Sequence, residues 1–154
     1  MGVVFREANR DEVPEIVALL RDDVLGQGRE AATLDPYFAA FDQMQAERGN
    51  LLFVGIDDSR AEGARVVATY QLTFISGLSL KAARRAQIES VRVHSDLRGQ
   101  GLGEAMFADA EDRARAAGCG LLQLTTNKAR NDAQRFYDRL GYVDSHVGYK
   151  KTLD

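Results

Sequence analysis

Residues 87–107 read QIESVRVHSDLRGQGLGEAMF, and this stretch decides how the rest of the chain is interpreted. Its first part, from Ala86 to Val93, is rich in β-branched residues and predicts a strand. Arg98-Gly99-Gln100-Gly101-Leu102-Gly103 then packs three alternate glycines into a turn. From Leu102 onward the apolar positions Leu102, Ala105, Met106 and Ala110 have helical spacing. A strand, alternate glycines and a helix start, in that order, make an anion site. Glycine lets the backbone turn with positive φ and lets a ligand approach with no Cβ in the way. The free N–H groups and positive dipole end of the helix then face that ligand. Arg98 adds a planar, forked cation suited to phosphate. The expected ligand is a phosphate or pyrophosphate, held by Arg98, Gly99, Gln100, Gly101, Leu102, Gly103 and Glu104.

The residues after the glycines exclude two common phosphate binders. A nucleoside triphosphate loop of the Walker type needs Gly-Lys-Ser/Thr, whereas Gly103 is succeeded by Glu104 and Ala105. The dinucleotide fingerprint needs Gly-x-Gly-x-x-Gly, and its third glycine would fall on Glu104.

Arg98-x-x-Gly101-x-Gly103, after a strand ending in Val91-Arg92-Val93, resembles the acetyl-coenzyme A pyrophosphate loop of the GNAT N-acetyltransferase superfamily. Downstream, Ala133, Phe136, Tyr137, Leu140, Gly141 and Tyr142 are similar to its C-terminal signature, Ala-x-x-Phe-Tyr-x-x-x-Gly-aromatic. Two motifs in the right order and at the right distance are more specific than either alone. The chain departs from the pattern at Ser95, where proline is usual, at Leu97, where an aromatic is usual, and at Arg130, which replaces an asparagine. The resemblance implies an α/β fold with a mixed, strongly twisted sheet of about six to seven strands and helices on both faces. It also implies acetyl-CoA as cosubstrate, no metal, and a primary amine as acceptor. Homodimers are common among similar proteins.

Composition agrees with one ordinary domain. A chain of 154 residues, 45% hydrophobic and 28% charged, is long enough to bury a full core. Its net charge of −3 gives no basic footprint for nucleic acid. The lone Cys119 fits a reducing compartment and a small core residue better than a nucleophile. No apolar run resembles a signal peptide or a membrane span, so a cytoplasmic protein is expected.

Periodicity gives the remaining elements. Val3 to Glu7 is a short strand, and Asn9 with Glu12 makes a capping box for a helix carrying Val13, Ile16, Val17 and Leu20 on one face. Residues 24–33 have no clear period and suggest a mobile loop. Asp35-Pro36 starts a second helix, with Asp35 as its N-cap, that carries Phe38, Phe41 and Met44 and stops near Gly49. By resemblance this helix-loop-helix walls the acceptor site, where Asp22, Asp23, Asp35 or Asp42 would meet a cationic amine. Leu51–Ile56 and Arg65–Phe74 read as a hairpin, and after it comes a basic loop with Lys81, Arg84 and Arg85. That loop is either a grip for an acidic substrate or the adenosine phosphate of coenzyme A, or a solvated surface or subunit contact. The helix from Leu102 ends at Ala117 before Gly118, and Leu121–Thr126 is a strand parallel to the central one. A last helix starts at Asn131 or Asp132 and ends at Leu140, and Tyr142 to Thr152 closes the sheet.

Acetyl transfer to an amine needs a base, an oxyanion site and an acid. Glu89 matches a position where the family often carries a glutamate, and it is assigned as base; His94, whose ordinary pKa lies near neutrality, competes for that role. His146 is a weaker candidate. Tyr137 is the acid by resemblance. The backbones of Val91, Arg92 and Val93 would contact pantetheine, beside a bulge that the family carries and that opens the sheet. Asn127, Arg130 and Asn131 are candidates near the thiol. Two alternatives remain: a catalytically silent acyl-CoA sensor, and an acyltransferase that uses another acyl group or acceptor.

Overall fold

The computed structural model describes residues 2–22 and 30–154. The expected mobile loop at 24–33 and the candidate Asp23 therefore fall wholly or largely outside the described residues. Contacts divide the chain into two compact units, Met1–Gln123 and Leu124–Asp154.

The first unit is built on a mixed sheet in the order β1-β2-β3-β4-β5. Its strands are β1 (Val3–Glu7), β2 (Asn50–Asp57), β3 (Val66–Ile75), β4 (Arg85–Val93) and β5 (Leu121–Gln123). The first three pairings are antiparallel, and β4 with β5 is parallel. The helices are α1 (Val13–Arg21), α2 (Asp35–Ala46), a single left-handed turn α3 (Ser79–Ala82), α4 (Leu102–Ala116) and, in the second unit, α5 (Asn131–Arg139).

Helices cover both faces of the sheet. Phe53 and Tyr70 are cross-strand partners. The first lies under the Arg113 guanidinium at 4.3 Å and the second donates to Asp109, so their face belongs to α4. Val54, one residue along, packs in a cluster with Val13, Ile16, Val17 and Phe41, so the opposite face belongs to α1 and α2. Period-two alternation therefore sorts the strand residues between two cores. Gly55 shows how tight the α4 side is: a Cβ there would come within 3.0 Å of Phe5 and 3.1 Å of Ala68.

The helix starts match the sequence signals with small displacements. Glu12 accepts from the Asn9 amide at 2.7 Å and completes the capping box, with a 3-10 turn at Arg10–Glu12 leading into α1. In α2 the N-cap is Leu34 rather than Asp35, and Pro36 takes the second helical position.

Three expectations are corrected. Among the described residues the sheet has five strands, not six to seven. β5 stops at Gln123 rather than Thr126 because its ladder with β4 ends at the Gln87–Gln123 pair. Residues 142–154 form no strand, although Val143, Val147 and Tyr149 alternate as a strand would. Those three side chains are exposed, so the segment lacks the buried face that would fix a register. Among the described residues no helix is long and apolar enough to cross a membrane.

Candidate active site

The glycine turn has the geometry its sequence predicts. Gly99 and Gly101 have φ of 76° and 83°, in the left-handed region that favours glycine. A Cβ at either position would meet no protein atom within 4 Å, so neither glycine is needed for packing against its own chain. Gly101 is the N-cap of α4 and offers no side chain to the first-turn amides. The Ala105 amide donates to the Gly101 carbonyl, so the intrahelical ladder of α4 begins at this glycine and the Leu102 and Gly103 amides belong to its first turn. Open space beside left-handed glycines, at a helix end that lacks a side-chain cap, fits a diphosphate. Arg98 is exposed next to it and reaches the Asp22 carbonyl at 3.4 Å, while Gln100 donates to the Asp96 carbonyl and ties the loop to the preceding 3-10 turn.

The strand that delivers this loop is interrupted. Gln71 pairs with Glu89 and Thr69 with Arg92, so Ser90 and Val91 together oppose the single residue Tyr70. Ser90 has φ of 53°, left-handed for a residue that is not glycine. This two-against-one count is a β-bulge. On the other side, β4 pairs with β5 only through Gln87, which leaves Ile88 to Val93 without a β5 partner. The central strand is thus bulged on one edge and unladdered on the other, both immediately before the glycine turn. Val91 lies at the bulge, and Val93 rejoins the ladder opposite Ala68. Arg92 donates to the Val91 carbonyl at 2.8 Å.

Glu89 is exposed and, as the partner of Gln71, stands on the face covered by α1 and α2. It accepts from Gln87 at 3.3 Å. His94, the competing base, is instead the N-cap of the turn at Ser95–Leu97 and contacts Asp96 Oδ1 at 2.8 Å. The Arg60 guanidinium, with His94 adding to it, holds the Asp96 carboxyl below its ordinary range. The His94 imidazole is thus held by Asp96 within its own turn, and Glu89 stands on the face covered by α1 and α2.

Beneath α1 and α2 runs a cleft of about 120 Å³. Ile16, Leu20, Tyr37, Met44, Gln71 and Ser90 are among its lining residues. Ser90 joins it to the bulge. Of the acidic candidates, Asp42 is paired with Arg10 at 2.9 Å, and that pairing holds its carboxyl below the ordinary range. Asp35 is exposed at the start of α2, and Asp22 offers its carbonyl to Arg98. Arg84 donates to the Ala117 carbonyl at 2.7 Å and covers the Phe74 ring at 5.2 Å, so it closes the C-terminal end of α4. Burial pushes the Cys119 thiol up, with Arg84 opposing, which keeps it protonated and unsuited to nucleophilic attack.

The second unit holds the remaining candidates. Tyr137 sits in α5, with its ring edge-on to Phe136 at 5.6 Å and to Tyr142 at 6.2 Å. Its carbonyl accepts from Leu140 and Tyr142, so the helix end and Gly141, at φ of 91°, fold around it. Arg130 is the N-cap of α5 and Asn131 its first residue, while the Asn127 side chain accepts from the Ala129 amide at 2.9 Å. His146 is exposed and contacts Ser145.

Two features escape the motif reading. Ser90 has no motif signature, but the apolar phase of β4 switches from Ala86 and Ile88 to Val91 and Val93, which is the trace of an inserted residue. The buried Tyr70 donates to Asp109, which also takes Arg113 at 2.8 Å. Burial and the adjacent carboxylate push the Tyr70 phenol far up, so it stays protonated and anchors β3 to α4.

The sequence profile of the Acetyltransferase (GNAT) family matches residues 14–142. A stretch of 67 residues is 45% identical to the aminoalkylphosphonate N-acetyltransferase of Salmonella typhimurium and covers 44% of each chain, so the match spans less than half of that protein. Among solved structures, a transcriptional regulator from Bacillus halodurans C-125 superposes with a TM-score of 0.88 at 40% identity, over 98% of this chain and 99% of that one. Glucosamine-6-phosphate N-acetyltransferase from Arabidopsis thaliana superposes with a TM-score of 0.80 at 18% identity, over all of both chains, and shares the fold.

Proposed function

The chain belongs to the GNAT acetyltransferase family, and we propose that it transfers an acetyl group from acetyl-CoA to a primary amine by direct attack within a ternary complex. The observation that carries this reading is the junction of a bulged, half-unladdered strand with a left-handed glycine turn at the start of α4. Acetyl-CoA supplies the activated acyl carbon as a thioester. Arg98 and the amides from Gly99 to Glu104 hold its diphosphate, and the open edge of β4 at Val91, Arg92 and Val93 takes the pantetheine arm.

The residues then divide the chemistry. Glu89 accepts a proton from the incoming ammonium, through water, because a carboxylate near pKa 4.3 is a weak base for a group near 10.4. The amine nitrogen bonds to the thioester carbonyl carbon, loses its second proton to water, and the carbon–sulfur bond breaks. Backbone N–H groups at the Val91 bulge stabilise the negative charge that builds on the carbonyl oxygen. Tyr137 gives its proton to the departing thiolate, and Asn127, Arg130 and Asn131 are assigned to the thiol end by resemblance. All 154 residues are read as one acetyltransferase domain, acting in the cytoplasm on a small molecule, with a homodimer as the expected assembly.

The test is thiol release from acetyl-CoA, monitored with a chromogenic disulfide across a panel of primary amines. Release that depends on an amine is the expected result. Tight acetyl-CoA binding with no release from any amine supports the sensor alternative instead. Release only with succinyl-CoA or longer thioesters supports the alternative acyl group.

A further inference from the structure

The cleft beneath α1 and α2 has walls of one chemical kind. Ile16, Leu20, Phe41, Met44 and Leu52 line it, with the Tyr37 ring beside them. Its polar members are Thr69, Gln71 and Ser90. The Thr69 hydroxyl is engaged by the Phe53 carbonyl at 2.9 Å, and the Gln71 amide donates to Asn50 at 2.8 Å. Among the described residues that line the cleft, none is lysine, arginine, aspartate or glutamate. Neighbouring cations are engaged outside it. Arg10 pairs with Asp42 and covers Phe38 at 4.7 Å, while Arg21 donates to the Ala31 carbonyl and lies 6.0 Å from the Tyr37 ring centroid.

Such walls select by desolvation. An anionic tail placed there loses its hydration and gains no counter-charge, which is costly, whereas an apolar tail gains by leaving water. Size sets the second limit: an apolar cavity of about 150 Å³ takes a benzene ring, and this cleft measures about 120 Å³. Ser90 joins the cleft to the bulge, and Glu89 stands beside it on the same face.

Resting on the acetyl-transfer reading, we infer that the acceptor is a primary amine carried on a compact apolar body, a small ring or branched aliphatic group. The body seats between α1, α2 and the sheet, and the amine stands at Ser90. This differs in class from an aminoalkylphosphonate, the acceptor named for the Salmonella relative.

The experiment compares kcat/KM for isoamylamine, 2-aminoethylphosphonate and putrescine. Isoamylamine is expected to lead both others by at least about tenfold, the smallest discrimination that a fitted apolar pocket gives for one methylene. Two lining variants set the size rule. Ala40→Phe is expected to move the preference toward ethylamine and Met44→Ala toward hexylamine, each by roughly tenfold. A lead for the phosphonate or the diamine overturns the inference, as does a chain-length preference that neither variant moves. Failure of every amine to release thiol marks failure of the acetyl-transfer reading, and the cleft is then judged by saturation transfer from protein to isoamylamine. A signal that Ala40→Phe abolishes upholds the apolar site, and no signal in the wild-type protein overturns it.

Discussion

Ser90 carries a left-handed backbone inside a strand, a conformation that costs a non-glycine residue about 1–2 kcal/mol. That cost is offset by the ladder on both sides of it and places the bulge where the sheet also loses its β5 partner. No single residue type announces this. The apolar alternation of β4 slips by one between Ile88 and Val91, but a bulge is a property of two strands, and its partner Tyr70 is 20 residues away in sequence. The glycines were legible because each acts alone: a left-handed φ at Gly99 and Gly101 is a local demand. Tyr137 was legible only by its place in a motif. As the proposed acid it gives a sharp prediction. Tyr137→Phe keeps the ring and removes the proton, so kcat should fall by about 10²-fold, the low end for general acid catalysis, with acetyl-CoA affinity nearly unchanged. Steady-state kinetics beside direct titration measure both, and an unaltered kcat removes Tyr137 from the mechanism.

Among the elements, those with a local start, stop or periodicity signal were readable to within a residue or two, and the one strand that failed has no buried face. α1 and α4 agree with their periodicity because one side of each packs on the sheet. The expected final strand did not form, since alternation in residues 142–154 has no buried side to enforce it. The entrance to α1 illustrates the local chemistry. Glu12 accepts from the Asn9 amide and from Arg6 at 2.8 Å. Burial opposes its ionisation, but these donors outweigh burial and hold the carboxyl below its ordinary range. A depressed carboxyl contributes stability that is present above its unfolded pKa and lost as pH falls through the folded one. Glu12→Ala should therefore cost about 1–3 kcal/mol at pH 7, and its melting deficit against wild type should shrink below about pH 4. Thermal melts from pH 7 to pH 3 measure this, and a deficit that does not change with pH contradicts it.

For the whole molecule, the sheet order brings the functional stretch to the one place where the ladder opens. β4 is the junction between an antiparallel half and a parallel partner, and the connection through α4 must leave β4 at its C-terminal end. That geometry places a helix start next to an unladdered strand, which is where a ligand with both an anionic end and an amide-bearing arm is best served. Fold class was legible at this scale from two spaced motifs, whereas the apolar cleft was not, because its walls come from α1, α2, β2, β3 and β4 together.

The central claim is that the left-handed glycine turn holds the diphosphate of acetyl-CoA, and calorimetric titration of coenzyme A and acetyl-CoA into wild-type protein and Gly101→Val tests it most directly. The wild-type protein should bind both, and at about a hundredfold excess over Kd its stability should rise by about 2.7 kcal/mol, a melting shift of roughly 5–10 °C. The variant should keep its far-ultraviolet dichroism and lose the binding heat, since a Cβ at φ of 83° disturbs the turn without meeting any neighbour in the fold. No heat and no melting shift in the wild-type protein, or undiminished affinity in Gly101→Val, would contradict the account.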